Sequence, residues 1–203
     1  MDEYLRRTLT TVVQFYDQHK VGDMGPLGFH RSTDLITLMA CLDRLMDKKI
    51  INPGETKFLD LGCADGRVNV FLSYMVKISV GIELDEWTLE EYGPLVARLG
   101  EILKDDSFLP LPKNIFLFHG DAMDELVYGR VTKGTGLRFE DFDLFYTYLV
   151  MHEEFAELIA EKGKKGSIFL VYGLQNILPK YKGFRLLEDM SPLERILAIY
   201  QKE

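Results

Sequence analysis

The sequence contains little cysteine and no long hydrophobic run. Cys41 and Cys63 are the only cysteines in 203 residues, which is neither a disulfide framework nor the paired spacing of a zinc site. We therefore expect reduced thiols and no metal centre. No apolar run approaches the roughly 20 residues that span a bilayer, and the acidic N-terminus does not resemble a signal peptide. These absences predict a cytoplasmic protein without a membrane partner.

Basic residues are also scarce. Lys and Arg number 24 against 32 Asp and Glu, giving a net charge of −8. A surface that binds nucleic acid needs clustered cations, so a protein or a small molecule is favoured over nucleic acid as partner. The apolar fraction of 47% suffices for a folded core and excludes a disordered chain. The sequence leaves the oligomeric state open.

The periodicity of apolar residues changes near residue 56. Before it, two amphipathic helices are predicted, over about residues 3–19 and from a cap at Ser32 or Thr33 to about Lys48. After it, five buried strands alternate with helices, which indicates a parallel sheet covered on both faces. Two final strands without an intervening helix form an antiparallel hairpin. We predict an α/β fold with a doubly wound, seven-stranded, mostly parallel sheet and an N-terminal helical extension.

Two local features qualify this pattern. Pro94 lies inside the predicted helix that follows the second strand and is expected to kink or break it. Residues 128–141 contain three glycines and are predicted to form a long loop.

A glycine-containing turn joins the first predicted strand to the next helix. It reads Asp60-Leu61-Gly62-Cys63-Ala64-Asp65-Gly66. Glycine allows the backbone to approach a ligand closely, and ligands bind beyond the carboxyl ends of parallel strands. A dinucleotide fingerprint, G-x-G-x-x-G, would need glycine at both 64 and 67, where Ala64 and Arg67 stand. The turn therefore favours a nucleotide-like cofactor other than a dinucleotide.

Two further acids follow the next two predicted strands. Glu83 ends the second strand, 17 residues after Gly66, where a carboxylate can accept hydrogen bonds from both hydroxyls of a ribose. Nicotinamide enzymes use the same device. Asp121 follows the third strand, and its alternative role is a simple turn former after Gly120.

In this order, the motifs resemble those of the class I S-adenosylmethionine-dependent methyltransferases, whose first motif is an acid followed by G-x-G-x-G. The resemblance covers about residues 30–203, with Ala64 replacing the middle glycine, and implies S-adenosyl-L-methionine as cofactor. It implies a Rossmann-like domain at 56–203 after N-terminal helices and a lid loop at 1–55. The implied cofactor residues are Asp60, Gly62, Ala64, Gly66, Glu83, Leu84, Asp121 and Ala122.

The resemblance also assigns roles within this set. Glu83 would hold the ribose, Asp121 would face the adenine amino group, and the Ala122 amide would bind a ring nitrogen. An alanine at position 64 is acceptable if its φ stays negative. Trp87 either packs in the protein or stacks near the cofactor, and Asp65 and Arg67 are expected at a helix start and on the surface.

The methyl acceptor should approach the end of the fourth strand. This region lacks the N/D-P-P-Y/F motif of enzymes that methylate exocyclic amines or amides. Tyr146 and Tyr148 alternate along it and share one face, which resembles the lysine-directed branch of the fold, although both could be core residues. His152 follows as a candidate base or a plain helix start. Residues 22–31, with His30, are predicted to form a lid.

The favoured function is methyl transfer to a protein side chain, such as lysine, or to a small molecule. The alternatives are an NAD(P)-dependent oxidoreductase of Rossmann type and a non-catalytic cofactor-binding module. Arg67 at a fingerprint glycine position and the terminal hairpin disfavour the oxidoreductase.

Overall fold

The computed structural model describes residues 1–19, 33–105, 107–174, 178–187 and 196–203. Seven strands form one sheet in the order β3-β2-β1-β4-β5-β7-β6. They are β1 (Lys57–Leu61), β2 (Ile78–Glu83), β3 (Ile115–His119), β4 (Leu144–Tyr148), β5 (Ile168–Tyr172), β6 (Phe184–Leu186) and β7 (Leu197–Lys202). Strands β1 to β5 pair in parallel, whereas β7 is antiparallel to both β5 and β6. The predicted fold class is confirmed.

Helices cover both faces of this sheet. They are α1 (Glu3–Asp17), α2 (Leu35–Asp47), α3 (Arg67–Ser73), α4 (Glu86–Glu90), α5 (Tyr92–Ile102), α6 (Glu125–Thr135) and α7 (His152–Lys162). One hydrophobic core contains residues of α1, α2, α3 and α5 with one face of the sheet. The other core joins α6 and α7 to the opposite face. The carboxyl ends of β1 to β4 therefore meet at one edge between the two helical layers.

The N-terminal helices are joined through a carboxylate. Asp17, at the end of α1, accepts hydrogen bonds from the backbone N–H groups of Leu35 and Ile36, at 3.1 Å each. The predicted cap of α2 at Ser32 or Thr33 is wrong, because Asp34 is the N-cap and accepts from Thr37 N–H. The two carboxylates satisfy the first amides of α2, which would otherwise lack partners.

Pro94 has the predicted effect, since the expected long helix is divided into α4 and α5 around Glu91. Pro94 lies in the first turn of α5, where proline is tolerated.

The prediction of a loop over residues 128–141 is wrong. Most of it is helix α6, capped at its start by Asp124, whose side chain accepts from Leu126 N–H, and a 3₁₀ turn follows at Phe139–Asp141. Val127 and Val131 of α6 are buried against the sheet. This burial outweighs the cost of about 1 kcal/mol for each internal glycine.

In the described part of the chain, no helix is both long enough and apolar enough to span a membrane.

Candidate functional site

The turn between β1 and α3 depends on glycine at two positions. Gly62 and Gly66 have φ values of 100° and 74°, which L side chains rarely adopt. A Cβ at Gly62 would meet open space, whereas one at Gly66 would lie 2.7 Å from Leu117 Cδ1 and 2.8 Å from Tyr92 Cδ2. Gly62 therefore leaves an open backbone edge, while Gly66 is also required for packing.

Ala64 does not have the negative φ that the sequence analysis required of an alanine at this position. Its φ is +48°, so the alanine that replaces the middle glycine lies in the left-handed region, which strains an L residue by about 1–2 kcal/mol. Its backbone N–H donates to Glu83 Oε2 at 2.8 Å. This bond to the end of β2 holds the strained turn in place.

Glu83 connects two loops at the carboxyl edge. Besides the bond from Ala64, its Oε1 accepts the backbone N–H of Asp85 at 2.9 Å. The side chain is half-buried, and each carboxylate oxygen keeps capacity for another donor. Glu83 is therefore a structural acceptor that can also bind ligand hydroxyls.

Asp60, on β1, is a buried carboxyl with an unpaired oxygen. It is 1% exposed, and its Oδ1 has no hydrogen-bond partner within the described residues. Burial raises the pKa of Asp60 well above its usual value, and the nearby Glu83 and Asp65 carboxylates raise it further. An unpaired buried acceptor is costly, so this oxygen is suited to a ligand that brings a donor or a positive charge.

Asp65 and Arg67 correct a second expectation, because neither lies on the surface. They form a buried ion pair with Nη2 to Oδ2 at 2.9 Å and side chains 1% and 4% exposed. The guanidinium also donates to the backbone oxygen of His19 at 2.9 Å and lies over the Tyr16 ring. Arg67 therefore neutralises Asp65 and ties the turn to the end of α1.

Asp121 and Ala122 follow β3 at the same edge. Asp121 is exposed, and its Oδ1 accepts Met123 N–H at 2.8 Å, which is the turn-forming geometry that the sequence allowed. Ala122 is buried, and its carbonyl accepts from the Tyr128 hydroxyl. No acceptor among the described residues bonds the Ala122 N–H, so this amide can bind a ligand.

Large apolar side chains are exposed along this edge of the sheet. Trp87 is 82% exposed and Leu84 is 65% exposed, so of the two alternatives for Trp87 the one in which it packs within the protein is wrong. Met123, Val150 and Met151, after β3 and β4, are exposed as well. We call Leu84, Trp87, Met123, Val150 and Met151 the apolar rim.

Tyr146 and Tyr148 belong to one face of β4, since both contribute to the core that contains α1 and α2. Tyr146 is 1% exposed, and its hydroxyl bonds Thr33 Oγ1 at 2.5 Å. Burial raises the pKa of Tyr146 well above its ordinary value, so the phenol stays protonated. Tyr148 is half-buried and its ring lies 5.6 Å from that of Tyr172. Of the two, Tyr148 is the more accessible.

His152 begins α7, directly after β4. Its Nδ1 lies 2.6 Å from the hydroxyl of Tyr181, and Tyr181 is held by ring contacts with Phe169 and Tyr200. The bond occupies one ring nitrogen and leaves Nε2 for another partner. Sequence reasoning missed Tyr181, because its approach to His152 arises only from the folding of the chain around β5 and β7.

The predicted lid, residues 22–31 with His30, lies outside the described residues. The other candidate site residues flank the ends of β1 to β4 or the turns that follow them.

The charges at this edge of the sheet indicate which cofactor the residues can bind. Asp60 and Glu83 place two carboxyl groups at the turn, and the Arg67 guanidinium is already paired with Asp65. An anionic pyrophosphate would be repelled here. A ligand that carries a ribose and a cationic group would instead satisfy both Glu83 and the unpaired oxygen of Asp60. The donor set therefore fits S-adenosylmethionine.

Comparisons with solved structures agree in fold. The chain is similar to an RNA methyltransferase from Salinibacter ruber in complex with S-adenosyl-L-homocysteine (TM-score 0.53, 13% identity, 85% of this chain and 92% of that one). It is similar to the tRNA (m1A58) methyltransferase TrmI from Aquifex aeolicus (0.57, 13%, 96% and 75%). It is also similar to Aeropyrum pernix fibrillarin with natively bound S-adenosyl-L-methionine (0.52, 18%, 82% and 74%).

By sequence, no protein family and no curated protein matches the chain. The strand order with its antiparallel β7 and the three similar structures indicate the same fold. The chain has the Rossmann-like fold of the class I S-adenosylmethionine-dependent methyltransferases.

Proposed function

We propose that the protein binds S-adenosylmethionine at the carboxyl edge of the sheet and transfers its methyl group to an acceptor. The observation that carries the proposal is the buried Oδ1 of Asp60, near Glu83, which has no hydrogen-bond partner among the described residues. Glu83 and Asp60, whose ionised form a cation would stabilise, favour a cationic cofactor and disfavour the pyrophosphate of NAD(P). Two of the similar structures contain bound S-adenosyl-L-homocysteine or S-adenosyl-L-methionine, which supports the same cofactor.

Each residue has a distinct part in binding. Glu83 accepts the ribose hydroxyls, the Ala122 amide and the Asp121 carboxylate hold the adenine, and Asp60 faces the cationic end. Gly62 leaves the backbone of the turn open to the ligand, and Ala64 holds the turn against Glu83. Leu84 and Trp87 cover apolar surface of the adenosine and exclude water from it.

The bound cofactor would supply a methyl group on a sulfonium, and an acceptor nucleophile would attack this methyl in line while the neutral thioether leaves. The chain then has to orient the acceptor, remove water from it and, for an ammonium, accept a proton. His152 is the candidate base: in the tautomer whose Nδ1–H donates to the Tyr181 hydroxyl, Nε2 can accept a proton. Tyr148 lines the path by which the acceptor reaches the methyl group, and Tyr146 supports Tyr148 from within the core.

The acceptor we favour is an amine on a protein side chain, such as lysine, or on a small molecule. The turns and helix starts along this edge are acidic, including Asp121, Asp124, Glu125, Glu153 and Glu154. Such a surface attracts an ammonium group and repels a phosphate backbone. Two of the similar structures are an RNA methyltransferase and a tRNA methyltransferase, so RNA is the competing acceptor class.

The cofactor is tested by calorimetry with the full chain. We expect S-adenosylhomocysteine to bind in the micromolar range, about −8 kcal/mol, and NADH not to bind. Glu83→Gln should weaken binding at least tenfold, because an amide cannot accept from both ribose hydroxyls. Glu101→Gln removes the same charge from an exposed ion pair on α5 and should leave affinity unchanged.

Two results would reject the proposal: NADH binding without S-adenosylhomocysteine binding, or equal affinity of wild type and a folded Glu83→Gln variant. The acceptor is tested separately by incubating the protein with methyl-labelled S-adenosylmethionine and fractionated lysate. Label on protein or small amines supports the favoured class, whereas label on RNA rejects it.

A further inference from the structure

A cleft lies at the edge of the sheet opposite the candidate cofactor site. Its volume is about 540 Å³, and it is bounded by the end of α2, the residues that precede β1, β4 and β5, and the hairpin of β6 and β7. These are the amino ends of the parallel strands, so the cleft is separated from the carboxyl edge by the length of the sheet. Its size is that of a pocket for a nucleotide-sized ligand.

The charge of this cleft is opposite to that of the chain. Five cations line it, against the two carboxylates of Glu55 and Asp143, although the whole chain carries −8. The cations are Lys48, Lys49, Lys164, Lys165 and Arg185. Lys164 is paired with Asp143, and Arg185 donates to Gln201 Oε1. Within the described ranges, no carboxylate pairs with Lys48, Lys49 or Lys165.

A buried hydroxyl and apolar groups complete the wall. Ser167 is 2% exposed, and its Oγ has no hydrogen-bond partner in the part of the chain that the structure describes. Ser167 lines the cleft together with Ile50 and Leu187. Concentrated cations and apolar side chains are the lining that a ligand with a phosphate group and an apolar body would need.

We infer that this cleft binds a small phosphorylated molecule, of about nucleotide size, at a site separate from the cofactor. Lys49 and Lys165 extend from different elements, the end of α2 and the turn before β5, and would both attract its phosphates. These cations line a concave cleft in a chain of net negative charge, which favours a compact polyanion over the long phosphate path of a nucleic acid. The inference does not depend on the proposed methyl transfer.

The test uses two probes, inorganic tripolyphosphate and uridine triphosphate, titrated calorimetrically into the full chain at fixed salt. We expect both to bind, the nucleotide more tightly if the apolar wall contributes, and saturating S-adenosylhomocysteine to leave both affinities unchanged. The double variant Lys49→Gln/Lys165→Gln should lose at least tenfold in affinity for each probe. Tighter binding of the nucleotide would show that the apolar wall contacts the nucleoside. Equal binding would show that the cleft recognises the phosphates alone.

The matched control is Lys104→Gln/Lys133→Gln, which removes two exposed cations, one just after α5 and one in α6, and should bind like wild type. Circular dichroism and melting temperature confirm that both doubles are folded. The inference is overturned if neither probe binds, if the two double variants lose affinity equally, or if S-adenosylhomocysteine displaces the probes. It is also overturned if only an RNA oligonucleotide binds, since the surface would then serve nucleic acid.

Discussion

The Asp65 carboxylate and the Arg67 guanidinium form an ion pair that is almost wholly removed from solvent, at 2.9 Å. Arg67 additionally donates to the carbonyl of His19. One side chain thus links the glycine turn, the start of α3 and the end of α1. The N-terminal helices are therefore coupled to the candidate site through a charged contact as well as through the core.

Removing Arg67 should strongly destabilise the protein. Arg67→Met leaves Asp65 buried without its cation, a loss typically worth about 3–5 kcal/mol. The double variant Asp65→Asn/Arg67→Met should recover part of this loss, because no charge is stranded. Urea unfolding measures the free energies of unfolding of the wild type, the single variant and the double variant. Arg138→Met, in the exposed pair with Glu140, should change stability by less than about 0.5 kcal/mol, and a similar small effect at Arg67 would contradict the prediction.

Asp60 should make the ligand-free protein less stable as pH rises. The pKa of Asp60 is raised in the folded state, chiefly by burial, so the folded protein holds a proton that the unfolded chain releases near pH 4. Stability contributed by this group is lost as pH rises from there through the folded pKa. Asp60→Asn removes this dependence, so its stability relative to wild type should increase between pH 4 and 7.

The same variant should bind cofactor less well. Loss of a charge-assisted bond predicts about a tenfold or greater fall in S-adenosylhomocysteine affinity. Thermal unfolding across pH and calorimetry at pH 7 provide the two measurements. A pH-independent difference in stability, combined with unchanged affinity, would mean that Asp60 neither titrates in this range nor faces the ligand.

The contact between His152 and Tyr181 predicts how variants of each residue affect the rate of methyl transfer. His152→Asn keeps a polar group near the Tyr181 hydroxyl but removes Nε2, so methyl transfer should fall about 10²- to 10⁴-fold if the imidazole is the base. Tyr181→Phe retains the base but frees its orientation, so it should cause a smaller loss and shift the pH profile. Both variants should bind S-adenosylhomocysteine like wild type. Unchanged turnover in His152→Asn would assign His152 only to the start of α7.

The strain at Ala64 predicts a stabilising substitution. Ala64→Gly removes the penalty of a left-handed alanine at φ +48° and should stabilise the protein by about 0.5–1 kcal/mol, or roughly 2–4 °C per kcal/mol. Ala97→Gly, the same chemical change in the exposed interior of α5, should destabilise it by about 0.5–1 kcal/mol. Thermal melts of both should therefore shift in opposite directions, and parallel shifts would contradict the assigned backbone strain.

The sheet was predictable from sequence because buried parallel strands are continuous apolar runs of defined length. The position of the glycine turn and of Glu83 at the strand ends follows from the same pattern. The burial of Arg67 was not predictable, since it depends on α1 lying across the turn. Tyr181 reaches His152 only through tertiary contacts, and the positive φ of Ala64 depends on the hydrogen bond to Glu83. Local patterns do not contain these distant contacts.

Helix α6 escaped prediction because its glycines suggest a loop, and these glycines now predict different responses to alanine. A Cβ at Gly129 would meet no atom within 4 Å, whereas one at Gly134 would lie 3.1 Å from Phe118 Cζ on β3. Gly129→Ala should therefore stabilise the protein by about 0.5–1 kcal/mol through the better helix propensity of alanine.

Gly134→Ala gains the same propensity but forces α6 away from Phe118, so the gain should be cancelled or reversed. Urea unfolding of the two variants isolates the packing contribution, because the chemical change and the helix are identical. Equal stabilisation by both alanines would show that α6 does not need a close approach to β3 at Gly134. Equal destabilisation would mean that Gly129 serves something other than an exposed helix face.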